Sequence, residues 1–174
     1  SNNFIPKEDF SAVTITEQFS PLIGVDLNFK NNKLTTRFEY KRDRNMALSF
    51  TDIQLTEIKG QEFVFGIGYR WRNFILPFGL NAKKKPGSSS DLNLTGDFSV
   101  RQNSTIVRKL LENIDQPTAG LTILSYKLSA DYLINERFNI RLFFDRTVNN
   151  PLISTSFPTA NTAAGISIRF TLSE

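Results

Sequence analysis

The chain has 174 residues, a formal net charge of +4, 16 Phe, no Cys and no His, with a mean hydropathy of −0.25. Without cysteine there is no disulfide scaffold and no thiolate metal site; without histidine the commonest general base, the commonest metal ligand and the Ser-His-Asp arrangement are excluded. No run of about 18 apolar residues offers a transmembrane helix, no signal-peptide pattern is present, and the charges form no continuous stripe of the kind that nucleic-acid binding needs.

These features imply a chain that is mature or a piece of something longer, with no cofactor and no nucleic-acid partner. Many aromatics at low mean hydropathy suit a protein whose apolar residues alternate with polar ones. Residues 1–12 carry Asn, Pro and mixed charge and read as a tail or loop.

From Val13 the odd positions are mostly apolar and the even ones mostly polar, cleanest over residues 23–30. Strict alternation predicts a β-strand with one apolar and one polar face. Pro21 fits such a strand only at an edge, a bulge or a break. Asn31, Asn32 and Lys33 have tight-turn composition. A second alternation fills 34–50. Leu34, Phe38, Tyr40, Met46, Leu48 and Phe50 lie on one side, and Arg37, Glu39, Lys41 and Asp43 on the other. The two predicted strands form a hairpin.

Residues 52–61 read as a loop, and 62–72 as a third strand with Phe63, Phe65, Ile67, Tyr69 and Trp71 on one face. A long connection, 73–90, contains Lys83, Lys84 and Lys85, which read as a solvated loop. The fourth strand starts near Asp91 and sets Leu92, Leu94, Phe98 and Val100 against Asn93, Asp97 and Arg101. It continues through Ile106 to Leu110, unless 105–113 forms a helix, since that stretch also fits a 3.6-residue period. A loop at 111–117 leads to a fifth strand, 118–134, with Tyr126, Leu128 and Tyr132 opposite Lys127 and Asp131. A tight turn at 135–137 precedes a sixth strand, where Phe138, Ile140, Leu142 and Phe144 oppose Arg141 and Asp145. After a loop at 147–159, the last strand sets Ile166, Ile168, Phe170 and Leu172 against Arg169.

The expected fold is therefore all-β: about seven antiparallel strands in a meander, with no domain boundary from 13 to 174. A soluble β-sandwich also alternates, but three features favour transmembrane barrel strands. The strands exceed the roughly 9–11 residues that a tilted strand needs to cross a bilayer. Tight turns at 31–33 and 135–137 contrast with longer connections at 52–61, 111–117 and 147–159, although 73–90 breaks that rule. Phe29, Phe38, Tyr69, Trp71, Tyr132, Phe138 and Phe170 gather toward the tight-turn end, as in an aromatic girdle facing lipid.

The polar face carries Asp26, Arg37, Glu39, Lys41, Asp97, Arg101, Lys127, Asp131, Arg141, Asp145 and Arg169. These are the candidates to line a water-filled lumen, because a charge facing hydrocarbon at the midplane costs about 2–4 kcal/mol. Seven strands leave open edges, which lipid does not tolerate. The strands are thus expected to belong to a larger outer-membrane barrel, as the C-terminal part of a longer chain or beside other chains. Arg42 and Arg44 fall on the lipid-facing parity and should sit at the outer interface. Met46, Leu48 and Phe50 continue the apolar row above it, so a covering partner is expected there.

In order, the segments FSPLIGVDLNFKNN, TRFEYKRDRNMALSF, QLTEIKGQEFVFGIGYRW, LTGDFSVRQN, LSYKLSADYLINERFNIRLFFDRTVNNP and AAGISIRFTL resemble the C-terminal region of the SprA (Sov) family. These are the outer-membrane translocons of the Bacteroidetes type IX secretion system, tied also to gliding motility. The resemblance covers nearly the whole chain from Val13 and rests on ordered segments, not on one motif. It implies a very large single-chain barrel that passes folded proteins outward, working with a lipid-facing barrel partner and a periplasmic plug. It implies no catalytic residues. The last strand departs from the usual aromatic ending of outer-membrane barrels, since Phe170 is followed by Thr-Leu-Ser-Glu. The residues alone leave three other readings open: a small porin-like barrel, an outer-membrane enzyme using a carboxylate pair such as Glu39/Asp97, and a soluble β-sandwich binding through an exposed edge.

Overall fold

A computed structural model of the chain describes residues 10–29, 33–74, 90–135, 137–153 and 156–171. They form seven strands, β1 (Ala12–Phe29), β2 (Leu34–Ser49), β3 (Gln54–Trp71), β4 (Asp91–Lys109), β5 (Ile114–Asn135), β6 (Phe138–Pro151) and β7 (Thr159–Phe170). The strands make one sheet in chain order, every neighbouring pair antiparallel. The expected all-β meander is what the chain forms.

Several boundaries differ from the sequence reading, all in one direction. Residues 54–61 are not a loop but the first half of β3, because each pairs with β2 in unbroken register from Ser49↔Gln54 to Lys41↔Glu62. Their polar composition hid a strand whose backbone partner was already long. Residues 105–109 are strand, not helix: Thr105 and Ile106 pair with Ile58 and Glu57. β5 begins at Ile114 and β6 runs to Pro151, so the loops expected at 111–117 and 147–159 shrink to 110–113 and 152–158. The expected contrast between short turns at one end and long connections at the other therefore fails at two of its three places. Ile53 (φ 48°) and Asn113 (φ 52°) close the 50–53 and 110–113 turns in the left-handed region. Asn tolerates that conformation, whereas for a β-branched Ile it is an outlier.

Ala12, expected in the tail, opens β1. Asn31, Asn32, Lys83, Lys84, Lys85, Glu136 and Leu172 lie outside the described residues. Pro21 falls inside a register shift between Phe19 and Ile23 on the edge strand β1, where its missing N–H removes no needed ladder bond.

One sheet with nothing on either side has almost no core. Only Val64 and Tyr132 are buried hydrophobics among the described residues. The chain exposes 13236 Å², whereas a globular protein of its mass would expose about 8,600 Å². The apolar area left bare is the defining energetic fact of the fold. On β3 the polar-face residues Gly60, Val64 and Gly66 are buried, while Phe63, Phe65 and Ile67 opposite are 45–48% exposed. A sheet bent toward its polar face crowds that side and splays the other.

Because the chain has no cysteine of its own, the extension of β3 and β4 can be read by cross-linking. Ile58→Cys with Thr105→Cys places two thiols on register partners, within the Cα separation that a disulfide spans. Oxidation should give a reducible, faster-migrating species on a denaturing gel. A helix at 105–113 would give none.

Candidate functional site

Antiparallel pairing carries side-chain parity from strand to strand, so each ladder row can be followed across the sheet. One row reads Asp26, Arg37, Gly66, Asp97, Lys127, Asp145 from β1 to β6. Charge alternates along it, and only β3 contributes none. All eleven residues expected on the polar face share this face, as do Asp43, Glu62, Arg70 and Asp91. Acidic and basic side chains there are close to balanced.

The glycines of β3 make room for this arrangement. Arg37 Nη2 donates to Asp97 Oδ1 at 3.3 Å, spanning β3 above Gly66. A Cβ at Gly66 would stand 2.8 Å from that oxygen. Likewise Arg101 Nη2 donates to Asp43 Oδ1 at 3.1 Å above Gly60, where a Cβ would lie 2.7 Å from the Asp43 carboxyl carbon. Shorter-range pairs fill in the rest: Lys41 with Glu39 at 3.1 Å, Arg101 with Glu62 at 3.7 Å and Arg141 with Asp131 at 3.7 Å. Such exposed pairs contribute up to about 1 kcal/mol each, so their effect is to hold a wet, mixed-charge surface. Phe143 is the large aromatic on this face, and its ring lies over Gly165 of the edge strand.

Glu39 and Asp97, the carboxylate pair considered for catalysis, sit on different strands with Arg37 between them, contacting each at 3.7 and 3.3 Å. Both are thus engaged in ion pairs. Among the described residues no group of three or more Asp, Glu, His or Cys converges on a metal position.

The opposite face bears an apolar band. Successive rows read Phe29–Leu34–Tyr69–Leu94–Ala130–Leu142–Ile166, then Leu27–Thr36–Ile67–Gly96–Leu128–Phe144–Ala164. The band is oblique to the rows. On β2 it runs from Leu34 to Tyr40 and meets its first charge at Arg42. On β6 it runs from Phe138 to Phe144 and meets Arg146, which shares the row of Phe38, two rows lower than Arg42. At about 3.3 Å per residue and about 4.8 Å between strands, both boundaries slope by about 35°. Strands in a barrel tilt by about that much from its axis. On β3 the band from Phe63 to Trp71 is about 27 Å long at about 3.4 Å per residue; at a tilt of about 35° it rises about 22 Å, close to the apolar belt of about 25 Å in outer-membrane barrels.

All seven expected girdle residues lie on this face. Six stand at its tight-turn end, but Phe38 does not: its register partners Val25 and Phe65 put it within the band. The alternation located its face correctly, and only the pairing set its height. This aromatic end is braced where β3 ends and β4 begins. Phe74 packs edge-on against Trp71 and Tyr132, with centroids 5.1 and 6.0 Å apart, and Tyr132 Oη donates to the Phe74 carbonyl at 3.2 Å. Arg70 donates to Asp91 Oδ2 through Nη2 and Nε at 2.7 and 3.1 Å. A second aromatic group, stacked Tyr40 and Phe63 with centroids 4.7 Å apart, borders the band at its other end. Sequence reading placed both residues on the apolar side without recognising them as a border.

Above that border, sequence reading missed the most enclosed charge. Glu57, assigned to a loop, is 1% exposed. Its Oε1 accepts from Arg44 at 2.6 Å and lies 3.2 Å from Lys59 Nζ, while Oε2 accepts from Arg108 at 2.9 Å. It lies in the row of Met46 and Ile106. Burial pushes its carboxyl up, but hydrogen bonds from Lys59 and Arg44 outweigh that and hold it below the ordinary value. The alternation of Glu57, Lys59 and Gln61 with Thr56, Ile58 and Gly60 was the available signal. Met46 and Leu48 are half-buried here, whereas Phe50 is 49% exposed, near the exposed Ile53, Leu110 and Leu111 of the adjoining turns.

No protein-family profile matches the chain, and no curated protein matches it.

Two predictions follow from the site's chemistry. Gly60→Val should break the Arg101–Asp43 pair and lower unfolding stability in detergent by about 1–3 kcal/mol, the usual penalty of overpacking, read as a shift of the denaturant midpoint. Glu57 has a depressed folded pKa, so its contribution is complete above the ordinary glutamate value of 4.5 and is lost as pH falls through the lower folded value. Glu57→Gln should therefore melt earlier than wild type near neutral pH, and the two melting temperatures should converge in acid.

Proposed function

We propose that these strands form part of the wall of an outer-membrane channel that conducts proteins, of the type IX translocon kind, with a link to gliding motility. The observation that carries the membrane reading is the oblique apolar band, uncovered on one face of a single-layer sheet whose other face is charged and balanced. Lipid on the splayed apolar face and water on the crowded polar face satisfy both. The secretion role is supported by the ordered resemblance of the segments from Val13 onward to the SprA (Sov) family.

In this reading the mechanism is passive. The eleven polar-face residues from Asp26 to Arg169 line a wet lumen. Their alternating signs give a passing polypeptide of either charge no long single-sign stretch to adhere to. The strands cross the outer membrane with the 50–53 and 110–113 turns outward. Partners are the remainder of the barrel, lipid, the secreted proteins, a lipid-facing barrel partner and a periplasmic plug. Met46, Leu48 and Phe50, with the apolar turn residues beside them, are the surface for a covering partner.

A small barrel closed by this chain alone is disfavoured by its topology. With seven antiparallel strands, β1 and β7 run the same way, and among the described residues they do not pair. A sandwich is disfavoured because no second sheet covers the apolar face among the described residues.

Trp71, the one tryptophan of these 174 residues, gives a direct test once any tryptophan elsewhere in the complete protein is replaced by phenylalanine. In the complete protein reconstituted into vesicles, brominated lipids should quench Trp71 strongly, with a maximum for bromines near the headgroup region. Fluorescence indifferent to bromine position would sink the membrane reading. A heat-modifiable, compact band from residues 1–174 refolded alone would sink the larger-barrel reading.

A further inference from the structure

We infer that the upper border of the apolar face on β2 and β3 holds the phosphate of a lipid headgroup in the outer leaflet, a reading that rests on the membrane placement proposed above. Arg42 is the first charge beyond Tyr40 and Phe63, and Gln61 and Gln102 share its row. All three are exposed, and Arg42 makes no hydrogen bond or ion pair among the described residues. Arg44 and Lys59 occupy the next row, half-exposed over Glu57.

The local charge is not balanced as it is on the other face. Glu57, one row further on, is already engaged by Arg44, Lys59 and Arg108, and Glu17, the register partner of Arg44, is the only carboxylate among the described residues of these two rows. Arg42 is left over. Arg146 repeats the pattern where the border reaches β6, exposed and likewise without a partner among the described residues. An unpaired guanidinium beside amide donors, directly above an apolar surface, matches a phosphate joined to acyl chains. The guanidinium supplies charge-assisted bonds to the phosphate, and the chains lie along Tyr40, Phe63 and Val100. A soluble anion would satisfy the charge and leave the apolar rows bare.

The test uses the whole protein in phosphatidylcholine nanodiscs doped with a bisphosphorylated glycolipid, lipid A. Lipid A retained per protein is measured after re-isolation. Wild type should enrich lipid A over the bulk fraction, Arg42→Gln should lower that enrichment about tenfold, and lipid A without phosphates should not be enriched. Lys109→Gln removes an equal charge from the opposite face and should change nothing. Equal retention by Arg42→Gln and wild type overturns the proposal, as does an equal loss with Lys109→Gln. Displacement of lipid A by an equal concentration of the phosphorylated sugar without acyl chains would make it a soluble-anion site and also overturn it. Trp71 quenching in the same discs separates the two readings. If it persists while Arg42 proves irrelevant, only the headgroup site fails; if it is absent, the membrane placement fails first.

Discussion

Everything in this sheet depends on parity being kept from one strand to the next. A strand that slips by one residue sends its whole apolar set to the opposite face. The ladder is irregular at three places, and none disturbs the band. The shift at Thr105/Ile106 lies above it and the shift at Leu133/Asn135 lies at its lower end. The shift between Phe19 and Ile23 inserts two residues, which returns β1 to the same parity. Hence Phe29, Phe65 and Ile168 share a face with Leu128, although four different strands carry them.

Parity of this kind yields two faces with opposite demands and no interior. A soluble fold resolves an apolar face by packing a second layer on it. Here the large side chains from Val25 to Ile168 remain bare, and the polar face is the crowded one. The glycines at 60 and 66 belong to the same solution. They let Arg101 and Arg37 reach carboxylates two strands away, so the polar face is bound by ion pairs that span β3.

Charge is distributed as unevenly as hydrophobicity. The polar face alternates sign along its rows and is nearly neutral. Beyond the Tyr40–Phe63 border the other face carries a surplus of guanidinium and ammonium groups around one enclosed glutamate. Glu57 is tolerable there because three cations surround it, and it in turn keeps Arg44, Lys59 and Arg108 together close to Met46 and Ile106.

By itself the sequence determined which residues share a face, because a period of two needs no long-range information. All eleven polar-face residues and all seven aromatics were assigned to the correct sides on that ground. It also determined the number and order of the strands. Tertiary structure decided where strands end and how high each residue sits. Residues 54–61 and 105–109 are polar or ambiguous, and they are extended because β2 offers the first a ladder and β3 the second; no local preference of their own could reveal it. The slope of the band, the inward place of Phe38, the reach of Arg37 over Gly66 and the enclosure of Glu57 all depend on cross-strand register. Register is a property of pairs of strands, so no single stretch of sequence contains it.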